Sequence, residues 1–152
     1  MAGRVQREDF DPGREMEALS EGRRDIGAVA SFTGIVRDEK GAGGIRAMTL
    51  EHYPGMTERK LEEIEAEAHR RWPLEASLIV HRYGRLEPGE RIVFVAAASS
   101  HRKAALEACA FLIDWLKTKA PFWKLEEGVE GEQWADAREA DDEAAARWAE
   151  DG

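Results

Sequence analysis

The stretch from Arg91 to Lys119 constrains the fold more than any other part of the sequence. Arg91–Ala98 is apolar at nearly every position, which predicts a strand covered on both faces at the centre of a sheet. A predicted helix follows, capped by Ser99 or Ser100 and running to about Lys119 before Pro121 ends it. Apolar residues wrap almost fully around this helix, which indicates that it is buried.

Weaker patterns predict the remaining elements. Asp11 and Pro12 begin a helix that runs to about Ser20, because proline fits the first helical position. A second helix has Thr57 as its predicted N-cap and ends at Pro73. Strands and helices are mixed without strict alternation, which predicts the α+β class. Further strands are expected over Ala28–Val36, Ile45–Tyr53, Ser77–Tyr83 and Phe122–Glu126, a mobile loop over Gly41–Gly44, and a short helix over Asp141–Trp148.

Length and composition narrow the class of protein. The 152 residues predict one domain, 1–152, large enough to form a core without metal or disulfide cross-links. The apolar stretches are far shorter than the roughly 18 residues of a membrane span. Met1–Arg24 is charged throughout and lacks the apolar segment of a signal peptide. The single cysteine, Cys109, excludes an internal disulfide and favours a cytoplasmic protein.

The net charge of −9 is concentrated at one end of the chain. Residues 126–152 hold eleven acids and two arginines, whereas residues 1–125 hold 20 acids and 20 bases. A neutral body with an acidic end argues against a nucleic-acid-binding protein, which would be basic. Local clusters of positive charge in the body are therefore informative.

Two lysines near the end of the buried helix are candidate functional residues. Leu106, Ala110, Ile113 and Lys117 share one helical face, so Lys117 ends an apolar stripe. It either extends its stem over apolar surface and its ammonium into water, or points partly desolvated into a cleft where it binds an anion or moves a proton. Lys124 lies one tight turn later, on a predicted strand. It is either a solvated edge residue or a second lysine converging on the same anion.

Basic residues also occur at the other end of the helix. Ser100-His101-Arg102 places cations in the first turn, against the helix dipole, which suggests an anionic ligand there. Arg37 ends a predicted strand just before the glycine-rich loop, where ligand-binding residues are frequent. The histidines and Cys109 have no metal-ligand spacing, and Cys109 lies among apolar helix residues as an inert thiol is expected to. Glu51 and His52 could serve acid–base chemistry but have no evident partner.

Several motifs, in one order over about Ala28–Arg138, resemble the family of the large, catalytic subunits of molybdopterin synthase. The resemblance implies an α/β hammerhead-type fold with a mixed or antiparallel sheet and packed helices. The matching strings are Phe32-Thr-Gly-Ile-Val-Arg37, Leu50-Glu-His-Tyr-Pro-Gly-Met56, His81-Arg-Tyr-Gly-Arg-Leu86, Ser100-His-Arg102 and Asp114-Trp-Leu-Lys-Thr-Lys-Ala-Pro-Phe-Trp-Lys124.

The resemblance also implies a reaction and its partners. Members of the family are homodimers that form heterotetramers with two small ubiquitin-like sulfur-carrier subunits. The carrier's C-terminal thiocarboxylate supplies sulfur to cyclic pyranopterin monophosphate, which becomes the dithiolene molybdopterin without a metal or other cofactor in the synthase. This explains how a sulfurtransferase can work with one buried cysteine.

Carried over to this sequence, the resemblance assigns roles to six residues. Lys117 matches a catalytic lysine that aids proton transfer, and Lys124 one that stabilises the oxyanion of an acyl-sulfur intermediate. The substrate-binding positions match Arg37, His101, Arg102 and Arg138, with His101 and Arg102 contributed by the other protomer. The acidic segment of about 139–152 is poorly specified and is either flexible or ordered by the partner.

Two other functions remain as alternatives. A non-catalytic dimeric module could keep the fold and only dock a ubiquitin-like partner, although two lysines facing one pocket favour an enzyme. A small-molecule hydrolase has less support, because no nucleophile–base pair is visible.

Overall fold

The computed structural model describes residues 3–37, 45–128, 131–134 and 139–149, which form two four-stranded sheets and four helices. Gly41–Gly44 and Arg138 lie outside the described residues. The strands are β1 (Arg4–Gln6), β2 (Ala28–Ile35), β3 (Ile45–His52), β4 (Leu74–Arg82), β5 (Gly84–Leu86), β6 (Arg91–Ser99), β7 (Phe122–Gly128) and β8 (Gly131–Trp134). The helices are α1 (Pro12–Ser20), α2 (Met56–Arg71), α3 (Arg102–Lys119) and α4 (Glu139–Ala146).

The first sheet has the order β1-β4-β6-β2, with β1 parallel to β4 and the other pairs antiparallel. Strand β6 is bonded on both edges, and its residues from Val93 to Ala98 are fully buried. The expectation of a central strand covered on both faces is therefore confirmed. The parallel partner β1 was not predicted, since three residues are too few for a period-2 pattern to stand out.

The second sheet is antiparallel and has the order β5-β3-β7-β8. In the β3–β7 register, Leu50 faces Lys124 and His52 faces Phe122. Because side chains alternate along a strand, these four residues share one face of the sheet. Between β4 and β6, which pair with each other, the chain forms β5, which leaves the first sheet and joins the second.

Helix α3 packs against β2 and β6, but its start and its burial differ from the prediction. It begins at Arg102 with His101 as N-cap, so Ser99 or Ser100 as its cap is wrong. The Ser99 hydroxyl instead donates to the carbonyl of Pro73 at 2.8 Å. The helix is also not buried all round, because Leu106 is 61% exposed.

Helix α2 starts two residues earlier than expected. Its N-cap is Gly55 at φ 86°, a conformation that favours glycine, so Thr57 as N-cap is wrong. The Thr57 hydroxyl instead accepts a hydrogen bond from the Tyr53 amide at 3.0 Å. The predicted buried face is confirmed by Leu61, Ile64 and Ala68.

The chain beyond residue 138 lies against α3. Helix α4 contacts α3, and the Trp148 indole N–H donates to Asp114 at 2.7 Å. The Trp148 ring packs edge-on against Trp72 and Phe111. The described part of the acidic segment therefore has a defined place on the helix that carries Lys117. Within the described ranges, no helix is long and apolar enough to cross a membrane.

Candidate active site

The candidate site is built around a buried histidine at the end of β4. His81 is 6% exposed, and its ring stacks on Phe122 with centroids 3.8 Å apart and planes at 16°. Its Nδ1 lies 2.8 Å from the carbonyl oxygen of Arg82. The imidazole is therefore fixed both by an aromatic face and by a backbone acceptor.

Lys117 and Lys124 both lie near this ring. Lys124 follows Phe122 by two residues on β7 and so projects from the same face of the strand. Burial lowers the pKa of His81 to about 3, and the charges of Lys117 and Lys124 act in the same direction. Lys117 itself is exposed and Lys124 is half-buried, and the charges of both act on this one histidine ring.

A second histidine extends the site along β3. The His52 ring lies 4.5 Å from the Tyr83 ring and 6.2 Å from the Phe122 ring. Its Nδ1 is buried and has no hydrogen-bond partner among the described residues. Glu51, by contrast, is exposed and points to the opposite face of the sheet. Of the two acid–base candidates in the sequence, only His52 lies near the lysines.

The predicted anion-binding residues lie elsewhere in the chain. His101 and Arg102 are exposed at the start of α3, while Lys117 is near its end. Fifteen residues of helix separate Arg102 from Lys117, about 22 Å along the axis. Arg37 is exposed just beyond β2. One chain therefore does not bring His101 and Arg102 to its own lysine pair.

The N-terminus of α3 has features that suit the binding of an anion. The N-cap His101 makes no side-chain capping bond, and the first turn carries no acidic residue. The first amides of a helix without a capping side chain can bind an anion. Arg102 adds a positive charge at the same place.

Neither Cys109 nor a cluster of metal ligands offers a second reactive site among the described residues. Cys109 is buried within α3, and this burial raises the pKa of its thiol to about 11, so the reactive thiolate is scarce near neutral pH. Among the described residues, no group of three or more His, Cys, Asp or Glu could hold a metal ion.

His81 is the site residue that the sequence reasoning did not single out. In the sequence analysis it is only the first residue of the motif His81-Arg-Tyr-Gly-Arg-Leu86, near the end of a predicted strand. The available signal was a polar, titratable residue in an otherwise apolar run, Leu78-Ile-Val-His81. A satisfied core histidine gives the same pattern, so only its contacts identify it as part of the lysine site.

Comparison with known proteins identifies the family of the chain. The family model described as MoaE protein matches residues 5–119. The molybdopterin synthase catalytic subunit of Pseudomonas aeruginosa is 55% identical over 150 residues, covering 99% of this chain and 100% of that protein. The molybdopterin biosynthesis MoaE protein from Burkholderia ambifaria superposes with a TM-score of 0.83 at 54% identity, covering 97% of this chain and 98% of the other.

A more distant structure shares the fold. It is the complex of subunits 1 and 2 of the molybdopterin-converting factor from Helicobacter pylori, with a TM-score of 0.75 and 22% identity. The match covers 90% of this chain and 91% of that chain. Because both the family model and close relatives span most of the sequence, the chain belongs to the MoaE family, that of the molybdopterin synthase catalytic subunits.

Proposed function

We propose that Lys117 and Lys124 catalyse the transfer of sulfur from a carrier thiocarboxylate to cyclic pyranopterin monophosphate. The observation that supports this proposal is that the charges of Lys117 on α3 and Lys124 on β7 both act on the buried ring of His81, which stacks on Phe122 two residues before Lys124. Two ammonium groups in one place repel each other, so such a pair is stabilised when an anion binds. A thiocarboxylate is such an anion.

The two lysines have different roles in the proposal. Lys124 donates hydrogen bonds to the oxyanion that forms at the carrier's carbonyl carbon when the acyl-sulfur intermediate is attacked by water. Lys117 moves protons at the thiocarboxylate and the pterin. Lys124 is half-buried on the same face of β7 as Phe122, whereas Lys117 is exposed, so shielding from water strengthens the electrostatic contribution of Lys124 more than that of Lys117.

The substrate phosphate is held by Arg37, His101, Arg102 and Arg138 in this proposal. Charge-assisted hydrogen bonds contribute roughly 1.5–3 kcal/mol each, so a few of them suffice to bind a phosphate. The separation of about 22 Å between Arg102 and Lys117 along α3 supports a site in which the partner protomer supplies His101 and Arg102. Each complete site then contains residues of two chains.

Exposed apolar residues support a homodimer. Strand β2 is the last strand of its sheet, and within the described part of the chain its outer edge has no strand partner. Phe32 and Ile35 on this strand are 40% and 57% exposed, and Leu106 of the neighbouring α3 is also exposed. A long edge strand with exposed apolar side chains is a surface that another chain can cover.

The full assembly in this proposal is a heterotetramer with two ubiquitin-like carriers. The sulfur arrives on the carrier, so the reaction needs no resident metal or other cofactor. The buried free thiol of Cys109 fits a reducing compartment, and we place the reaction in the cytoplasm.

Subunit complementation tests the composite site. Lys117→Ala and Arg102→Ala variants are each expected to be nearly inactive with thiocarboxylated carrier and cyclic pyranopterin monophosphate. After the two are mixed and allowed to exchange subunits, half of the dimers are hybrids with one intact site in two. Activity should then return to about a quarter of the wild-type value. If the mixture stays inactive while hybrids form, the two residues serve the same chain and the composite site is wrong.

Carrier binding separates the enzyme from the docking alternative. A protein that binds the carrier but forms no dithiolene under any condition is a docking module. Dithiolene formation that depends on Lys117 supports the proposed enzyme.

A further inference from the structure

His52 of β3 holds a polar atom that the fold leaves unsatisfied. Its Nδ1 is buried and has no hydrogen-bond partner among the described residues. The ring as a whole is only half-buried, and it packs near the rings of Tyr83 and Phe122, with centroids 4.5 Å and 6.2 Å away. Buried polar atoms without a partner are rare in folded proteins, and each requires an explanation.

The burial of Nδ1 decides which ring nitrogen carries the proton. A proton on Nδ1 would form a buried N–H group without an acceptor, and orphaned N–H groups are rarer than orphaned acceptors. The neutral ring of His52 therefore keeps its lone pair on Nδ1 and its proton on Nε2. Nε2 is not one of the buried atoms that lack a partner, and within the described ranges nothing accepts its proton. His52 thus presents an N–H donor that a ligand can reach.

Lys124 lies on the same face of the second sheet and also lacks an acceptor. His52 pairs with Phe122 and Leu50 with Lys124 across β3 and β7, so His52 and Lys124 are diagonal neighbours. Diagonal neighbours in an antiparallel pair are about 7–8 Å apart, within reach of long side chains. Lys124 is half-buried, and no described residue accepts a hydrogen bond from its ammonium group. The carboxylate of Glu51 lies on the opposite face of β3.

We infer that His52 is a further residue of the sulfur-transfer site, whose Nε2–H donates a second hydrogen bond to the oxyanion that Lys124 stabilises at the carrier's carbonyl carbon. Two neighbouring donors without acceptors of their own suit one oxygen atom on which negative charge develops, because an oxyanion accepts more than one hydrogen bond. His52 keeps its proton throughout, so the ring changes neither its charge nor its bonds. This role of His52 rests on the proposed function of Lys124.

Three variants separate this role from a structural one. His52→Phe keeps a ring for the contacts with Tyr83 and Phe122 but has no N–H donor. His52→Gln places an amide N–H near the position of Nε2. Glu51→Gln is the matched control, because Glu51 is exposed on the opposite face of the same strand.

The measurements are the single-turnover rate constant of dithiolene formation, the KM for the pterin, the Kd of the thiocarboxylated carrier and the thermal midpoint Tm. We expect the rate constant to fall about 100- to 1000-fold in His52→Phe, as for the loss of one oxyanion donor, with KM and Kd nearly unchanged. Tm should not fall, because the substitution also removes the unsatisfied nitrogen. His52→Gln should recover most of the rate, and Glu51→Gln should match the wild type.

Three results would overturn this role. The first is a wild-type rate constant in His52→Phe. The second is an equal loss of rate in His52→Phe and His52→Gln together with a lower Tm, which marks a structural residue. The third is a raised KM for the pterin with an unchanged rate constant, which assigns the donor to that substrate.

Lys124→Ala, measured in parallel, distinguishes this failure from that of the proposed function. If Lys124→Ala is fully active, the proposed function fails. An inactive Lys124→Ala with a fully active His52→Phe removes only the role of His52.

A spectroscopic measurement on the wild type covers the case in which a His52 variant does not fold. In protein labelled with ¹⁵N-histidine, the signals of His52 should show a protonated Nε2 and an unprotonated Nδ1. The Nε2–H signal should shift when the thiocarboxylated carrier binds. A proton on Nδ1, or an Nε2 signal that the carrier leaves unchanged, contradicts the role.

Discussion

Trp148 is expected to hold the C-terminal segment on the helix that carries Lys117. Its indole N–H donates to Asp114 at 2.7 Å, and its ring packs on Trp72 and Phe111 with centroids 5.5 Å and 5.8 Å away. The neighbouring Arg147 bonds the same carboxylate at 2.8 Å. Replacing Trp148 with alanine removes the aromatic contacts and one of the two bonds to Asp114.

The cost can be estimated from these contacts. A hydrogen bond to a charged acceptor contributes about 1.5–3 kcal/mol, and each aromatic pair adds about 0.5–1.5 kcal/mol. Since the side chain is only partly buried and Arg147 still neutralises Asp114, we expect the lower part of this range, a loss of about 3 kcal/mol. That corresponds to an increase of roughly a hundredfold in the equilibrium constant for opening of the segment.

Amide hydrogen exchange measures this opening directly. Exchange of the amides at 143–149 should accelerate about a hundredfold in Trp148→Ala and about tenfold in Trp148→Phe, which keeps the ring but lacks the N–H donor. Trp123→Ala is the matched control, because Trp123 is 45% exposed and lies on β7, away from α4. Unchanged exchange in Trp148→Ala, or equal acceleration in the control, would refute the reasoning.

Three further predictions concern ionisable groups. Hydrogen bonds from Arg70 and Arg71 lower the pKa of Glu67 to about 2, so its contribution to the free energy of unfolding is complete above about pH 5 and is lost as the pH falls towards 2. Acid titrations followed by circular dichroism should therefore show a shallower loss of stability for Glu67→Gln than for the wild type. His81 stays neutral when folded but takes up a proton when unfolded below about pH 6.5, so it also lowers stability as the pH falls from 6.5 towards 3. His81→Gln removes this dependence, and an unchanged slope of stability against pH over that range would contradict it. Native Cys109 should resist iodoacetamide at pH 8 and react fully in denaturant, and rapid labelling of the folded protein would show that the thiol is accessible.

Most of the fold could be predicted from the sequence where the hydrophobic pattern was long and regular. The bounds of α1 and the central place of β6 follow from a proline at a helix start and an uninterrupted apolar run. Caps were harder, because Gly55 begins α2 by adopting a positive φ, whereas the hydroxyl of Thr57 bonds the preceding turn. The short strands β1 and β5 are fixed by pairing with distant strands, so local sequence carries little trace of them, and β8 pairs with its neighbour β7 over only four residues.

Only part of the candidate site could be predicted from the sequence. Helical spacing placed Lys117 at the end of a stripe, and strand alternation placed Lys124 on the face of Phe122, so their convergence could be expected. The part of His81 in the site depends on its stack on Phe122, which joins β4 to β7, two strands of different sheets. No local pattern encodes a contact between elements forty residues apart.

The central claim is that the two converging lysines catalyse sulfur transfer, and single-turnover dithiolene formation tests it most directly. Purified protein, thiocarboxylated carrier and cyclic pyranopterin monophosphate are mixed, and wild type is compared with Lys117→Ala, Lys124→Ala and Lys119→Ala. Lys119 is an exposed lysine on the same helix as Lys117 and serves as the matched control. We predict losses of about a hundredfold or more in the first two variants, with carrier binding retained, and near wild-type turnover in Lys119→Ala. Wild-type turnover in Lys117→Ala or Lys124→Ala would contradict the account.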